Sequence, residues 1–127
     1  MAPVIAMLLA AGESRRMGQL KALLPWQGTS LLKHQVGSLR SGGVDQVVVV
    51  LGHRSDELKV ELAGAEGVTW QLNPDYLQGK TTSIKAGLRA LGTEQPEFLL
   101  ILNVDQPRSE DVVRSLLEEH RSHGNLI

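Results

Sequence analysis

Gly12, Ser14, Arg15, Arg16, Gly18 and Lys21 crowd into one short stretch of the chain. Small residues interleaved with cations suit a polyphosphate, because backbone N–H groups can converge on phosphate oxygens while the cations offset their charge. Spacing excludes two familiar phosphate motifs. A P-loop needs Lys directly after its last Gly and then Ser or Thr; here Gln19 and Leu20 separate Gly18 from Lys21, and Ala22 follows. The dinucleotide fingerprint G-x-G-x-x-G is not met by Gly12 and Gly18, which lie too far apart. Without further context the stretch reads equally as an ordinary strand-to-loop connection whose basic residues are solvated.

A second candidate is Asp105, which directly follows the apolar run Phe98-Leu99-Leu100-Ile101-Leu102-Asn103-Val104. Parallel sheets place their ligands outside the carboxyl ends of strands. A hard carboxylate there suits Mg²⁺, which takes one or two carboxylates together with substrate phosphates. The other reading is an Asp that starts a helix from an Asp-Gln-Pro turn. The third candidate is the segment Asn73 to Leu88. Asn73 offers donor and acceptor groups suited to a base edge, Gly79 permits close approach of the chain, and Ser83 presents a hydroxyl in the first turn of a helix. Gly87, inside that helix, costs about 1 kcal/mol relative to Ala, so a close helix–sheet contact is expected to require it. Ile84, Gly87 and Leu88 read as packing residues.

The elements that must position these residues alternate regularly. Val4 to Ala11 is an apolar run stopped by Gly12, the pattern of a strand buried on both faces. Leu23-Leu24-Pro25-Trp26 reads as a short extended piece leading to a Gln27-Gly28 turn. Thr29 or Ser30 caps a helix over Leu31 to Leu39 that stops at Ser41-Gly42-Gly43. Gln46 to Leu51 holds four consecutive valines and is the second strand. Ser55 caps a helix to Ala63, and Val68 to Asn73 is the third strand. A helix from Thr81 or Thr82 to Leu91 presents Ile84, Leu88 and Leu91 on one face. Glu97 to Val104 is a fourth buried strand. Ser109, Glu110 and Asp111 open a last helix with Val113, Leu116, Leu117 and His120 inward. Strand–helix alternation implies a parallel sheet. His34, His53, His120 and His123 are scattered; the one close pair, His120 with His123 at a fraying helix end, reads as solvated for want of a third ligand, Trp26 and Trp70 as core, and Glu118-Glu119 as a solvated helix face. Gly124-Asn125 reads as a helix C-cap and Leu126-Ile127 as the start of a strand, so the chain is expected to be truncated at its C-terminus.

With 127 residues the sequence fits one domain. A net charge of −1 without a basic run argues against an electrostatic nucleic-acid or membrane partner. No apolar segment approaches the roughly 20 residues of a membrane span, and no signal peptide is recognised. The lack of cysteine removes disulfides, thiolate metal sites and Cys nucleophiles together. A cytoplasmic location is the default expectation.

Leu9 through Lys21 resembles the signature L-A-A-G-x-S-x-R-M-G-x-x-K of the MobA-like NTP-transferases, matching every fixed position. Asn73 to Leu88 is similar to that family's N-P-x-[YW]-x-x-G-x-x-x-S-[IL]-x-x-G-[LI], and Asp105-Gln106-Pro107 to its D-x-P metal element. The resemblance implies a three-layer α/β/α sandwich, Rossmann-like with a mostly parallel sheet, of which residues 1–127 form the N-terminal nucleotide-binding portion. It implies nucleotidyl transfer from CTP to a phosphate-bearing acceptor, molybdopterin cofactor first, with a molybdoenzyme as protein partner. Guanylyltransferase relatives carry L-A-G-G where this chain has Leu9-Ala10-Ala11-Gly12, and the Ala11 methyl favours the smaller pyrimidine. The implied nucleotide-binding residues are Leu9, Ala10, Ala11, Gly12, Ser14, Arg16, Met17, Gly18, Lys21, Asn73, Gly79 and Ser83. Arg16, Lys21 and Asp105 would be catalytic, with Asp105 holding Mg²⁺. The alternatives are a guanylyl- or sugar-phosphate nucleotidyltransferase, or a nucleotide-binding module without turnover.

Overall fold

The computed structural model describes residues 3–11, 15–16, 19–23, 25–26, 28–93, 95–104 and 109–123. Strand β1 is Val4–Ala10, and all seven of its residues are buried. Its even positions Val4, Ala6, Leu8 and Ala10 enter one core cluster, while Met7 and Leu9 enter a second with Ala11. That split follows from the two-residue period of a strand when apolar layers cover both faces.

The basic stretch after β1 is expected to be loop, yet it holds a short antiparallel ladder; the extended piece expected to end at Trp26 is one strand of a second. β2 (Arg15–Arg16) pairs with β3 (Gln19–Leu20), and β4 (Pro25–Trp26) pairs with β5 (Thr29–Ser30). A single 3₁₀ turn, Lys21–Leu23, lies between them. Helix α1 spans Leu31–Ser41, two residues beyond the expected end, and Ser30 caps it by accepting the Lys33 N–H at 3.2 Å. Gly42 stays right-handed at the C-cap, and the left-handed residue is Gly43 (φ 115°). Gly42 is needed for space instead: a Cβ there would lie 2.7 Å from Val113.

Strand β6 here denotes Gln46–Leu51. Helix α2 (Ser55–Leu62) begins differently from the sequence expectation, because Ser55 is its first helical residue. The N-cap is Arg54 in the left-handed region (φ 52°), its guanidinium bound to the Glu57 carboxylate. Strand β7 (Val68–Leu72) leads through a 3₁₀ turn, Tyr76–Gln78, to helix α3 (Lys80–Leu91). Strand β8 (Phe98–Asn103) and helix α4 (Glu110–His123) complete the described elements, with the Val112 N–H reaching Ser109 Oγ at 3.3 Å. The expected C-cap and strand at 124–127 lie outside the described residues.

The main sheet is four-stranded and parallel, in the order β7-β6-β1-β8. Side chains of α1, α2 and α4 fill the first cluster on one face: Leu32, Val36 and Leu39, Leu58 and Leu62, and Val113 and Leu117. Helix α3 covers the other face through Ala86 and Ile84. The architecture is therefore the expected three-layer α/β/α arrangement. Of the expected apolar face of α3, Ile84 packs against the sheet but Leu88 does not. Ser83, Ala86 and Gly87 are buried, whereas Leu88 is 46% exposed. The reason is close approach: a Cβ at Gly87 would lie 2.5 Å from Met7 Sδ, the tight helix–sheet contact that a glycine inside a helix foretold. Trp70, expected in the core, is 45% exposed on the edge strand β7 with Lys59 Nζ 4.2 Å above its ring. Strand β8 is likewise less covered than expected, with Leu100 buried and Ile101 exposed. On α4, Leu116 is exposed while His120 sits edge-on to Phe98. No helix among the described residues is long and apolar enough to cross a membrane.

Candidate functional site

Strand register brings Ala11, Asn73 and Val104, the described residues at or next to the three sequence candidates, to one edge of the sheet. Leu9 is paired with Asn103, Ala10 with Leu51, and Leu51 with Leu72, so all four parallel strands end together. Hydrogen bonds continue this alignment past the strand ends. Val104 N donates to Leu9 O at 3.1 Å, His53 N to Ala11 O at 3.0 Å, and Asn73 N to Leu51 O at 2.7 Å. The edge consequently carries Ala11, where the glycine- and arginine-containing stretch departs; Asn73, where the loop to α3 departs; and Val104, which directly precedes Asp105.

Leu9, Ala10 and Ala11 are buried beneath this edge. Gly12, Ser14, Met17, Gly18 and Asp105 lie outside the described residues. For Arg16 and Lys21 the backbone alone is described, Arg16 opposite Gln19 in the β2–β3 ladder and Lys21 opening the 3₁₀ turn. Among the described residues no group of three or more His, Asp and Glu could hold a metal ion.

Asn73 and Ser83 are placed together, and their geometry is specific. Asn73 is 1% exposed, and its Nδ2 donates to Thr82 Oγ1 and to Ser83 Oγ, each at 2.9 Å. Its Oδ1 accepts the Asp75 N–H at 3.0 Å. Thr82 Oγ1 in turn lies 2.7 Å from Gly79 O and 3.0 Å from Asp75 O, the acceptors of its hydroxyl. Asn73 thus fastens the loop and the first turn of α3 to the end of β7, since a buried amide must satisfy its donors within the protein. Gly79 is exposed at the N-cap of α3 with φ 113°, a conformation that glycine adopts without strain.

Sequence reasoning missed His53 and Tyr76 at this edge. A Cβ on Gly52 would lie 2.8 Å from both Ala11 O and Tyr76 Cβ, so the tyrosine packs directly over the end of β6. His53 Nδ1 and Tyr76 OH are 3.4 Å apart, and the rings lie 5.9 Å centre to centre. The available signal was positional: Gly52-His53 follows the valine strand just as Gly12 follows β1. Thr82 and Gln35 were also missed; Gln35 is fully buried on α1.

Known proteins match this chain in sequence and in fold. The sequence profile of the MobA-like NTP transferase domain covers residues 6–127. The chain belongs to this family. The molybdenum cofactor cytidylyltransferase of Escherichia coli (strain K12) is 36% identical over 94 residues, which are 74% of this chain and 48% of that protein. The nicotine blue oxidoreductase of Paenarthrobacter nicotinovorans is 36% identical over 120 residues, 93% of this chain and 57% of that protein. Among solved structures, a nucleotidyl transferase from Methanothermobacter thermautotroptrophicus superposes with a TM-score of 0.76 at 30% identity, covering 91% of this chain and 57% of that one. This MobA-like chain spans about half the length of these relatives.

Proposed function

We propose that this MobA-like domain binds CTP and transfers its cytidylyl group to a phosphate-bearing acceptor, with molybdopterin cofactor as the first candidate and a molybdoenzyme as the downstream partner. The observation that supports the reading is the shared sheet edge, where the chain leaves β1 into the basic stretch, leaves β8 into Asp105, and is clamped between β7 and α3. An acceptor phosphate oxygen attacks the α-phosphorus of CTP. The bond from that phosphorus to the bridging oxygen breaks, and pyrophosphate departs. Such a transfer asks the protein mainly for positioning and charge stabilisation. Backbone N–H groups of the Gly12–Gly18 stretch hold the triphosphate, and Arg16 and Lys21 stabilise the charge that grows on the departing pyrophosphate.

Asp105 directly follows β8 in sequence, and a single hard carboxylate suits Mg²⁺, which draws its remaining ligands from phosphates and water. When bound there, Mg²⁺ would neutralise phosphate charge. Leu9, Ala10 and Ala11 form the floor on which the base rests, with Gly79 and Ser83 at its side. The Ala11 methyl narrows that floor and favours cytosine over guanine. Calorimetric titration with CTP and with GTP, each in the presence of Mg²⁺, tests the reading. Tighter binding of CTP is expected. Equal affinity, or a preference for GTP, would remove the cytidylyl assignment and turn the proposal to the guanylyl alternative; absence of binding to either would remove the transferase reading.

A further inference from the structure

Among the described residues the buried polar side chains are all engaged in holding the fold together. Gln35 Nε2 donates to the Asn103 and Val104 carbonyls, Ser38 Oγ lies 3.5 Å from His34 Nε2, and Asn73 Nδ2 donates to Ser83 Oγ. Tyr76 is different. It is half-buried, packing against the cluster of Met7, Leu9, Ala11, Val50 and Ala86, and part of its side chain stays uncovered at the carboxyl edge. The ends of β1 and β6 meet beside it. His53 N donates to Ala11 O at 3.0 Å, and a Cβ on Gly52 would lie 2.8 Å from Ala11 O and from Tyr76 Cβ and Cδ1. Glycine at position 52 is what lets the tyrosine stand this close to the end of β6. The turn that carries Tyr76 is pinned as well. Asn73 Oδ1 accepts the Asp75 N–H, Gln78 N donates to Asp75 O at 2.9 Å, and Gly79 N donates to Tyr76 O at 3.3 Å. At its far end the hydroxyl lies 3.4 Å from His53 Nδ1. Core packing alone asks only for an apolar ring; here a ring with a polar tip is held from both ends at the edge of the sheet.

We propose that Tyr76 is the residue on which the base of the bound nucleotide stacks. The inference rests on the reading of this edge as a CTP site, and it names the side chain that meets the nucleoside half of that ligand. Tyr76 is tied to Gly79 through its turn and shares the space over Gly52 with Ala11, the two residues assigned above to the base. A planar heterocycle entering there meets an aromatic ring that is already fixed, so little freedom is lost on binding. Every base has a π-face, so stacking adds affinity for the nucleoside without choosing between cytosine and guanine. That choice stays with Ala11.

Inorganic tripolyphosphate carries the charge of a triphosphate without a base, so comparing it with CTP, each in the presence of Mg²⁺, isolates the nucleoside. Tyr76 is the single tyrosine of the chain, and its ring protons are therefore an unambiguous NMR signal. CTP is expected to move that signal upfield, as the ring current of a stacked base does, and tripolyphosphate to leave it in place. In calorimetry Tyr76→Leu, which keeps an apolar side chain against the cluster, is expected to weaken CTP roughly tenfold to hundredfold. Tripolyphosphate should change by no more than about twofold, since its contacts are untouched. Tyr76→Phe keeps the ring and should hold CTP affinity within about threefold, the scale of one long neutral hydrogen bond. Ile84→Val, a packing control on the same cluster, should leave the ratio of the two affinities unchanged. CTP binding without an upfield shift overturns the inference, and this readout on the wild type stands even where Tyr76→Leu fails to fold. Equal weakening of both ligands in Tyr76→Leu also overturns it, as does a loss in Tyr76→Phe as large as in Tyr76→Leu. If the wild type binds CTP no more tightly than tripolyphosphate, the nucleotide reading itself has failed and the inference falls with it. That result is distinct, because it appears before any variant is made.

Discussion

Replacing Asn73 by Ala tests whether the carboxyl edge is held by a buried polar clamp. The substitution removes three hydrogen bonds, two from Nδ2 and one to Oδ1, at distances between 2.9 and 3.0 Å. Each such bond contributes about 0.5–1.5 kcal/mol net. The partners are not equally exposed. Asp75 N sits on an exposed residue and can turn to water, whereas Ser83 is 5% exposed and its hydroxyl would lose its donor in a place water does not reach. The expected destabilisation is about 2–4 kcal/mol, at the upper end of ordinary single substitutions. Urea denaturation measures it, and for a chain of this size it corresponds to a melting temperature lowered by about 10 °C. A double-mutant cycle with Ser83→Ala isolates the shared bond, with an expected coupling of ~1 kcal/mol. Calorimetry with CTP should show weakened binding, because α3's first turn is no longer tied to β7. A loss below about 1 kcal/mol with no coupling to Ser83 would mean that water replaces the amide, and the clamp argument would be refuted.

Gly87→Ala should destabilise by about 1–3 kcal/mol in denaturant unfolding despite alanine's better helix propensity, because its methyl meets Met7; a more stable variant would show that Met7 moves aside at no cost. Lys21→Ala should weaken Mg²⁺–CTP binding by about 1.5–3 kcal/mol in calorimetry with little change in melting temperature, and the opposite pattern would make Lys21 structural. The Glu57 carboxyl is held below its ordinary value first by its hydrogen bond from Arg54; desolvation opposes this, and the Arg54 and His53 charges add to the lowering. A depressed carboxyl contributes stability above its ordinary range and loses it as the pH falls through the depressed value. NMR shifts of the first turn of α2 should therefore move on acidification in the wild type, and Glu57→Gln should abolish that transition.

Local signals in the sequence were enough for the order of the four main strands and four helices, since Val4–Ala10 and the valines of Gln46–Leu51 are apolar and must be covered on both faces. The same signals narrowed the cap to Thr29 or Ser30, of which the structure uses Ser30, and located Gly87 as a close contact, because each follows from backbone chemistry within a few residues. The basic stretch, Asn73–Leu88 and Asp105 were legible as candidates because each directly follows, or itself ends, a strand. What the sequence could not decide depends on partners far along the chain. Helical period alone favoured Ile84, Leu88 and Leu91 on α3; Ile84 does pack on the sheet, but the closeness of Met7 buries Gly87 and leaves Leu88 exposed. Trp70 reads as core in any apolar strand, and its exposure follows from β7 lying at the edge of the sheet. Asn73 read as a group free to meet a base, and the fold commits its amide to Thr82 and Ser83. Gln35 gave no local signal at all: its two carbonyls lie 68 and 69 residues away, and only the packing of α1 against the end of β8 brings them within reach.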